Sequence, residues 1–125
     1  PRGAPARPWD LRRFELDALR AAGLQPALVE CARCGRPAGE GPARFDPLQG
    51  GVLCAGCAFT GSAGARPIDA GVLEALRRLQ RGEPVEEGAA EGAQARAILG
   101  ACIEIHLGKR LQSRRFLDEV GPLLG

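Results

Sequence analysis

Apolar residues recur at helical spacing in three stretches, each bounded by residues that start or stop helices. Leu11, Phe14, Ala18 and Ala22 lie three or four residues apart, with Leu16 and Leu19 widening the stripe. Arg12, Arg13, Glu15, Asp17 and Arg20 then face water. Pro8 suits a first helical turn, and Gly23 with Pro26 beyond it suits a stop, so the pattern predicts a helix over residues 9–22. Val72, Leu73, Leu76 and Leu79 form a second stripe behind Asp69, a favoured N-cap. Ile68 and Leu73 are placed as a hydrophobic staple around that cap. Arg77, Arg78 and Arg81 crowd the last turn, where the helix dipole favours cations, and Gly82 and Pro84 end the helix. The third stretch predicts a helix over residues 89–107, with Ile98, Leu99, Cys102, Ile105 and His106 on one broad side and Gly108 as C-cap. A short helix over residues 114–120 follows, capped by Ser113 and anchored by Phe116, Leu117 and Val120.

The period changes between the first two helices. Residues 43–46 and 52–54 read as two short strands, with Pro47, Gly50 and Gly51 supplying the turn of a hairpin. Residues 60–66 are small and read as a linker, and residues 1–7 alternate Pro, Gly, Ala and Arg in the manner of a tail. Glu83, Glu86, Glu87 and Glu91 make an acidic loop and helix start, which the N-terminal dipole is enough to explain.

With four Phe, one Trp and no Tyr or Met, the core of this 125-residue chain must come from Leu, Ile, Val and Ala. Such a core is modest, and 18 Gly and 10 Pro make loops plentiful, so a covalent or metal staple is expected. The cysteines supply one. Cys31 and Cys34 form a C-x2-C pair, as do Cys54 and Cys57, and 19 residues separate the pairs. Two close pairs let four sulfurs converge on one ion at about 2.3 Å, and this spacing is that of a tetrahedral zinc site. Two disulfides would need an oxidising compartment, and a redox pair would use one C-x2-C within a βαβ pattern; both are weaker readings. Four thiolates leave no open coordination position, so the metal is expected to be structural. Metal-bound cysteines place the chain in the cytoplasm, and its longest apolar run, residues 97–103, is far short of the roughly 20 residues that span a bilayer.

The formal charge of +2 falls to about zero once a dianionic zinc–tetrathiolate is counted, so only the distribution of charge points to a partner. Lys109, Arg110, Arg114 and Arg115 place four cations within seven residues, the densest basic cluster in the chain and a candidate contact for DNA phosphates. Arg33, Arg36 and Arg44 decorate the cysteine module, where they read as solvated charges screening its negative charge, with contact to phosphate as the lesser reading. Cys102 and His106, four apart on one helix face, read as a buried thiol beside a hydrogen-bonded histidine rather than as a metal pair or a nucleophile. A single histidine and scattered glycines give neither a catalytic triad nor a phosphate loop, so an enzyme is not expected.

The ordered set Phe14-Glu15-Leu16, Leu19, Gly23, Cys31-x-x-Cys34-Gly35, Phe45, Gly50-Gly51, Cys54-x-x-Cys57 and the run from His106 to Leu117 resembles the C-terminal part of the RecO family of bacterial recombination mediators. The resemblance covers residues 9–120. It implies a mainly α fold, a small helical bundle with an inserted four-cysteine zinc-finger β-hairpin. It implies DNA repair and recombination without catalysis: binding of single- and double-stranded DNA, strand annealing, and work with RecR and the C-terminal tail of single-strand-binding protein to load RecA. It assigns the metal ligands to Cys31, Cys34, Cys54 and Cys57. The expected organisation is a flexible tail (1–8), a first helix (9–27), the zinc module (28–59) and the remaining helices (60–125). The family's N-terminal OB-fold has no counterpart here, and Pro1 is not an initiator methionine, so the chain reads as a fragment or a processed form. On its own it could alternatively serve as a zinc-stapled docking module for protein partners.

Overall fold

Phe45 and Val52 lie opposite each other on adjacent strands, and both are fully buried. They mark the covered face of a three-stranded antiparallel sheet in the order β2-β1-β3, made of β1 (Ala43–Asp46), β2 (Gly51–Leu53) and β3 (Arg66–Ile68). The computed structural model that shows this describes residues 8–39, 43–85 and 89–109, without side chains at 8 and 89–91. The expectations for the tail, for Glu86, Glu87 and the side chain of Glu91, and for everything from Arg110 onward lie outside the described residues.

β1 and β2 form the expected hairpin, with the second arm starting one residue earlier, at Gly51. The third strand was not expected. Residues 66–68 fall where the expected linker (60–66) meets the lead-in to the second helix, and Pro67 argues against a central strand. β3 is an edge strand, where a missing N–H is tolerated, and Ile68 pairs with Ala43 while being buried itself.

Among the described residues three α-helices pack with the sheet: α1 (Pro8–Ala21), α2 (Ala70–Gln80) and α3 (Ala89–Cys102), the last running into a π-helical turn over Ile103–Leu107. α1 and α2 stop at Gly23 and Gly82, with Leu24 N–H on Leu19 O at 2.7 Å and Glu83 N–H on Arg78 O at 2.9 Å, the closure that satisfies the last carbonyls. Leu16, Leu19, Phe45, Val52, Ile68, Leu73, Leu76, Ile98 and Leu99 share one apolar cluster, so sheet and helices are built around a single core.

The buried face of α1 is not the one the apolar stripe predicts. Trp9, Arg12, Leu16 and Leu19 are buried, while Leu11 and Phe14 are 48% and 71% exposed. At about 100° per residue Leu11 lies roughly 200° around from Trp9, so the helix carries two opposed apolar stripes and packing selects the one with the indole. Arg12, expected in water, is buried and paired with Glu15. The α2 stripe of Val72, Leu73, Leu76 and Leu79 is buried throughout, but Arg77 is buried with it. Asp69 occupies the N-cap position without a side-chain cap bond; its N–H donates to Gln94 Oε1 at 2.9 Å, tying α2 to α3. Gly108 follows the π turn at its C-cap position but keeps right-handed helical geometry instead of the left-handed conformation of a glycine stop, and its N–H reaches Ile103 O.

Candidate metal centre

Two backbone turns are needed to aim two C-x2-C pairs at one point, and each is built by local hydrogen bonds. In the first, Gly35 N–H returns to Cys31 O at 2.9 Å with Gly35 at φ +78°, a left-handed conformation that a side chain would strain. Cys31 N–H on Arg36 O (2.7 Å) and Ala38 N–H on Val29 O (2.9 Å) hold the flanking segments together. In the second, the chain leaves β2 at Leu53, Cys57 N–H returns to Cys54 O at 3.0 Å, and a 3-10 turn, Ala58–Thr60, follows.

The turns are fixed to each other through β2. Val52 N–H donates to Ala27 O, while Ala27 N–H and Ala32 N–H donate to Gly50 O and Val52 O, all at 2.8–2.9 Å. Gly51 permits that approach, because a Cβ there would lie 2.4 Å from Ala27 O.

The four sulfurs of Cys31, Cys34, Cys54 and Cys57 all lie within 4.8 Å of one another. Cys34 Sγ and Cys54 Sγ, from opposite turns, are 3.7 Å apart. A tetrahedral four-sulfur site with 2.3 Å bonds has edges of about 3.8 Å. All five cysteines are free thiols. The centre lies at the surface: Cys31 is buried, Cys54 and Cys57 are half-buried and Cys34 is exposed.

Electrostatics favours a cation among these sulfurs. Burial opposes ionisation of Cys31, but hydrogen bonds from the backbone at Cys34, Cys54 and Arg33 outweigh it and bring its pKa down to about 6. Partial burial, then contact with the sulfurs of Cys54, Cys34 and Cys31, pushes Cys57 up to about 12. Sulfurs this close cannot all ionise against one another, and a metal ion at their centre removes the repulsion. The residues present therefore fit a metal ion with four thiolate ligands and no place left for substrate.

The other candidates are placed differently. Cys102 is buried on α3, where desolvation raises its thiol to about 12. His106 turns away to the hairpin, its Nε2–H donating to Pro47 O at 2.5 Å. Lys109 is exposed on the last described helical turn, while Arg110, Arg114 and Arg115 lie outside the described residues.

Two residues that carry the module's position were not singled out as such from the sequence. Asp46 is fully buried: its Oδ1 accepts Leu48 N–H (3.0 Å) and Ser62 Oγ–H (2.7 Å), and its Oδ2 accepts Gln49 Nε2–H (2.9 Å) and Ser62 N–H (2.7 Å). Burial alone would raise its pKa, but these donors hold it down at about 2. Arg77 donates from Nε to Leu28 O at 2.7 Å and from Nη2 to Gly39 O at 2.9 Å, joining α2 to both ends of the first cysteine turn. An Asp ending a strand before a turn signals such a hub; nothing local distinguishes Arg77 from Arg78.

Residues 2–115 match the family model described as Recombination protein O C terminal. The chain is 57% identical to the DNA repair protein RecO of Anaeromyxobacter dehalogenans (strain 2CP-C), over 98% of this chain and 50% of that protein. It is 58% identical to the RecO of Anaeromyxobacter sp. (strain K), over 97% of this chain and 49% of that protein. For the RecO of Myxococcus xanthus (strain DK1622) the identity is 39%, over 93% and 47%. The chain thus spans about half the length of these relatives, and no solved structure matches it. With a family model matched over nearly its whole length and relatives more than half identical to it, the chain belongs to the Recombination protein O C-terminal family.

Proposed function

We propose that this chain is the zinc-stabilised part of a non-enzymatic DNA repair and recombination mediator. The observation that carries this reading is the convergence of four sulfurs within 4.8 Å of one another, one pair of them 3.7 Å apart, in a chain of this family. Zn²⁺ suits an all-thiolate tetrahedral site, and a closed site supplies folding free energy rather than a position for reaction. Residues 28–59 form the zinc module, carried by the helices of residues 9–27 and 60–125 in a reducing, cytoplasmic setting. No described helix is long and apolar enough to cross a membrane.

The mechanism is contact. Lys109, Arg110, Arg114 and Arg115 bind phosphates of single- and double-stranded DNA, and the mediator anneals strands and hands DNA to RecA together with RecR and single-strand-binding protein. Zinc determination on purified protein should give one ion per chain. Binding to oligo(dT) should weaken with salt at a log–log slope of about −0.7 per phosphate contact, and reversing Arg114 and Arg115 to Glu should abolish it. Unchanged affinity in that variant removes the DNA-contact assignment.

A specific observation also favours a docking role. Leu11 and Phe14 present an exposed apolar face on α1. Replacing both with Ser should abolish capture of the single-strand-binding protein tail while leaving the fold intact; retained capture excludes this face.

A further inference from the structure

Phe59 is 85% exposed, the most exposed large apolar side chain among the described residues. It sits two residues after Cys57 on the 3-10 turn, and Thr60 fixes that turn by donating both its N–H (3.0 Å) and its hydroxyl (2.6 Å) to Cys57 O. The aromatic ring is thus carried on backbone tied to a metal-ligating residue. Beside it lies a hollow of about 270 Å³ lined by Arg44, Ala58, Phe59, Gly61, Ser62 and Ala65. Gly61 packs closely on Ala65, where a Cβ would come within 2.6 Å of the Ala65 Cβ. Arg44 lines the hollow from β1, its Nη2 donating to Ala65 O at 2.9 Å. A guanidinium has five N–H donors, so this anchor does not exhaust it.

We propose that this hollow takes one nucleobase of single-stranded DNA, stacked on Phe59, with the adjoining phosphate on Arg44. The proposal deepens the DNA-binding reading and rests on it, but uses residues far in sequence from the basic cluster. An exposed aromatic ring on a hydrogen-bonded turn offers a π-face to any base, and a tethered guanidinium beside it meets phosphate oxygens. The chemistry also sets the character of the contact. Arg33, Arg36 and Arg44 are offset in the module by Glu30, Glu40, Asp46 and the dianionic metal centre, so long-range attraction is weak. Stacking carries the affinity, and the hollow prefers unpaired strands, whose bases are free to leave the stack.

The test is binding of zinc-loaded protein to oligo(dT) across a salt series. Phe59→Ala should weaken binding roughly 5- to 150-fold with the salt slope unchanged, and Phe59→Trp should preserve it. Arg44→Gln should flatten the slope by about 0.7. Oligonucleotides carrying 5-iodouracil should crosslink to Phe59 on irradiation, located by mass spectrometry. Because Phe59 is exposed, its variants should keep their zinc and their helical circular dichroism. Wild-type affinity in Phe59→Ala, or crosslinks confined to residues beyond 105, overturns the base site while leaving the basic cluster standing. Loss of binding in Phe59→Ala with none in the Arg114/Arg115 double reversal supports the base site and removes the cluster. A wild-type chain with no affinity for oligo(dT) removes both.

Discussion

Replacing Asp46 by Asn tests how the hairpin and the cysteine module are held in register. Both carboxylate oxygens are acceptors, and two of the four donors are backbone N–H groups, Leu48 on Oδ1 and Ser62 on Oδ2. An Asn side chain must put its NH₂ in place of one oxygen. If it replaces Oδ2, Gln49 can flip its amide to accept, but Ser62 N–H is left facing a donor. If it replaces Oδ1, the Ser62 hydroxyl can rotate to accept, but Leu48 N–H is left. One buried backbone donor is unsatisfied either way, at about 1–3 kcal/mol, and the charge assistance of the remaining bonds is lost. The pKa gives a second route to the magnitude. A fall from 3.8 to about 2 corresponds to roughly 2.4 kcal/mol of stability carried by the ionised form. Urea unfolding of zinc-loaded protein at pH 7 should therefore place Asp46→Asn about 2–4 kcal/mol below wild type. The folded pKa is depressed, so this contribution is fully present above the unfolded value near 3.8 and is lost as pH falls through about 2. Asp46 is ionised in both folded and unfolded chains well above 3.8, so the difference between the two proteins should stay constant from pH 7 down to the pH at which protonation of the thiolates releases the metal. A variant within 0.5 kcal/mol of wild type at pH 7, or a gap that narrows while zinc is still bound, would refute this account of Asp46.

Other variants probe the remaining links. Chelation of the metal, or Cys34→Ser, should unfold the module, with loss of bound zinc and collapse of amide protection across β1 and β2, whereas Cys102→Ser should keep a full equivalent of metal because its thiol is not a ligand. Arg77→Ala should cost about 2–4 kcal/mol in chemical denaturation, since it strands the carbonyls of Leu28 and Gly39 and removes a packed stem, while Arg78→Ala, on the exposed side of the same turn, should fall within about 0.5 kcal/mol of wild type. Gly51→Ala should destabilise by more than about 2 kcal/mol and lower zinc affinity, because its Cβ would collide with the Ala27 carbonyl that joins the two cysteine turns; Gly56→Ala, whose Cβ would meet only Cys54 Sγ at 3.9 Å, is the control.

Where the chain's own spacing is enough to define geometry, the sequence determined the outcome. The two C-x2-C pairs named all four members of the sulfur cluster, because two-residue gaps close into turns through local hydrogen bonds. The α2 stripe and the stops at Gly23 and Gly82 were legible for the same reason: one apolar period without a rival, and helix ends written in glycine. Only the tertiary structure decided the rest. α1 carries two opposed apolar stripes, and the neighbours that cover Trp9, Leu16 and Leu19 select between them. β3 exists because β1 has a free edge, Arg77 is buried because two carbonyls from the cysteine loop meet it, and Asp46 is a hub because Ser62, sixteen residues on, folds back over it. Each depends on a partner distant in sequence, and hydrophobic periodicity has no memory over that distance.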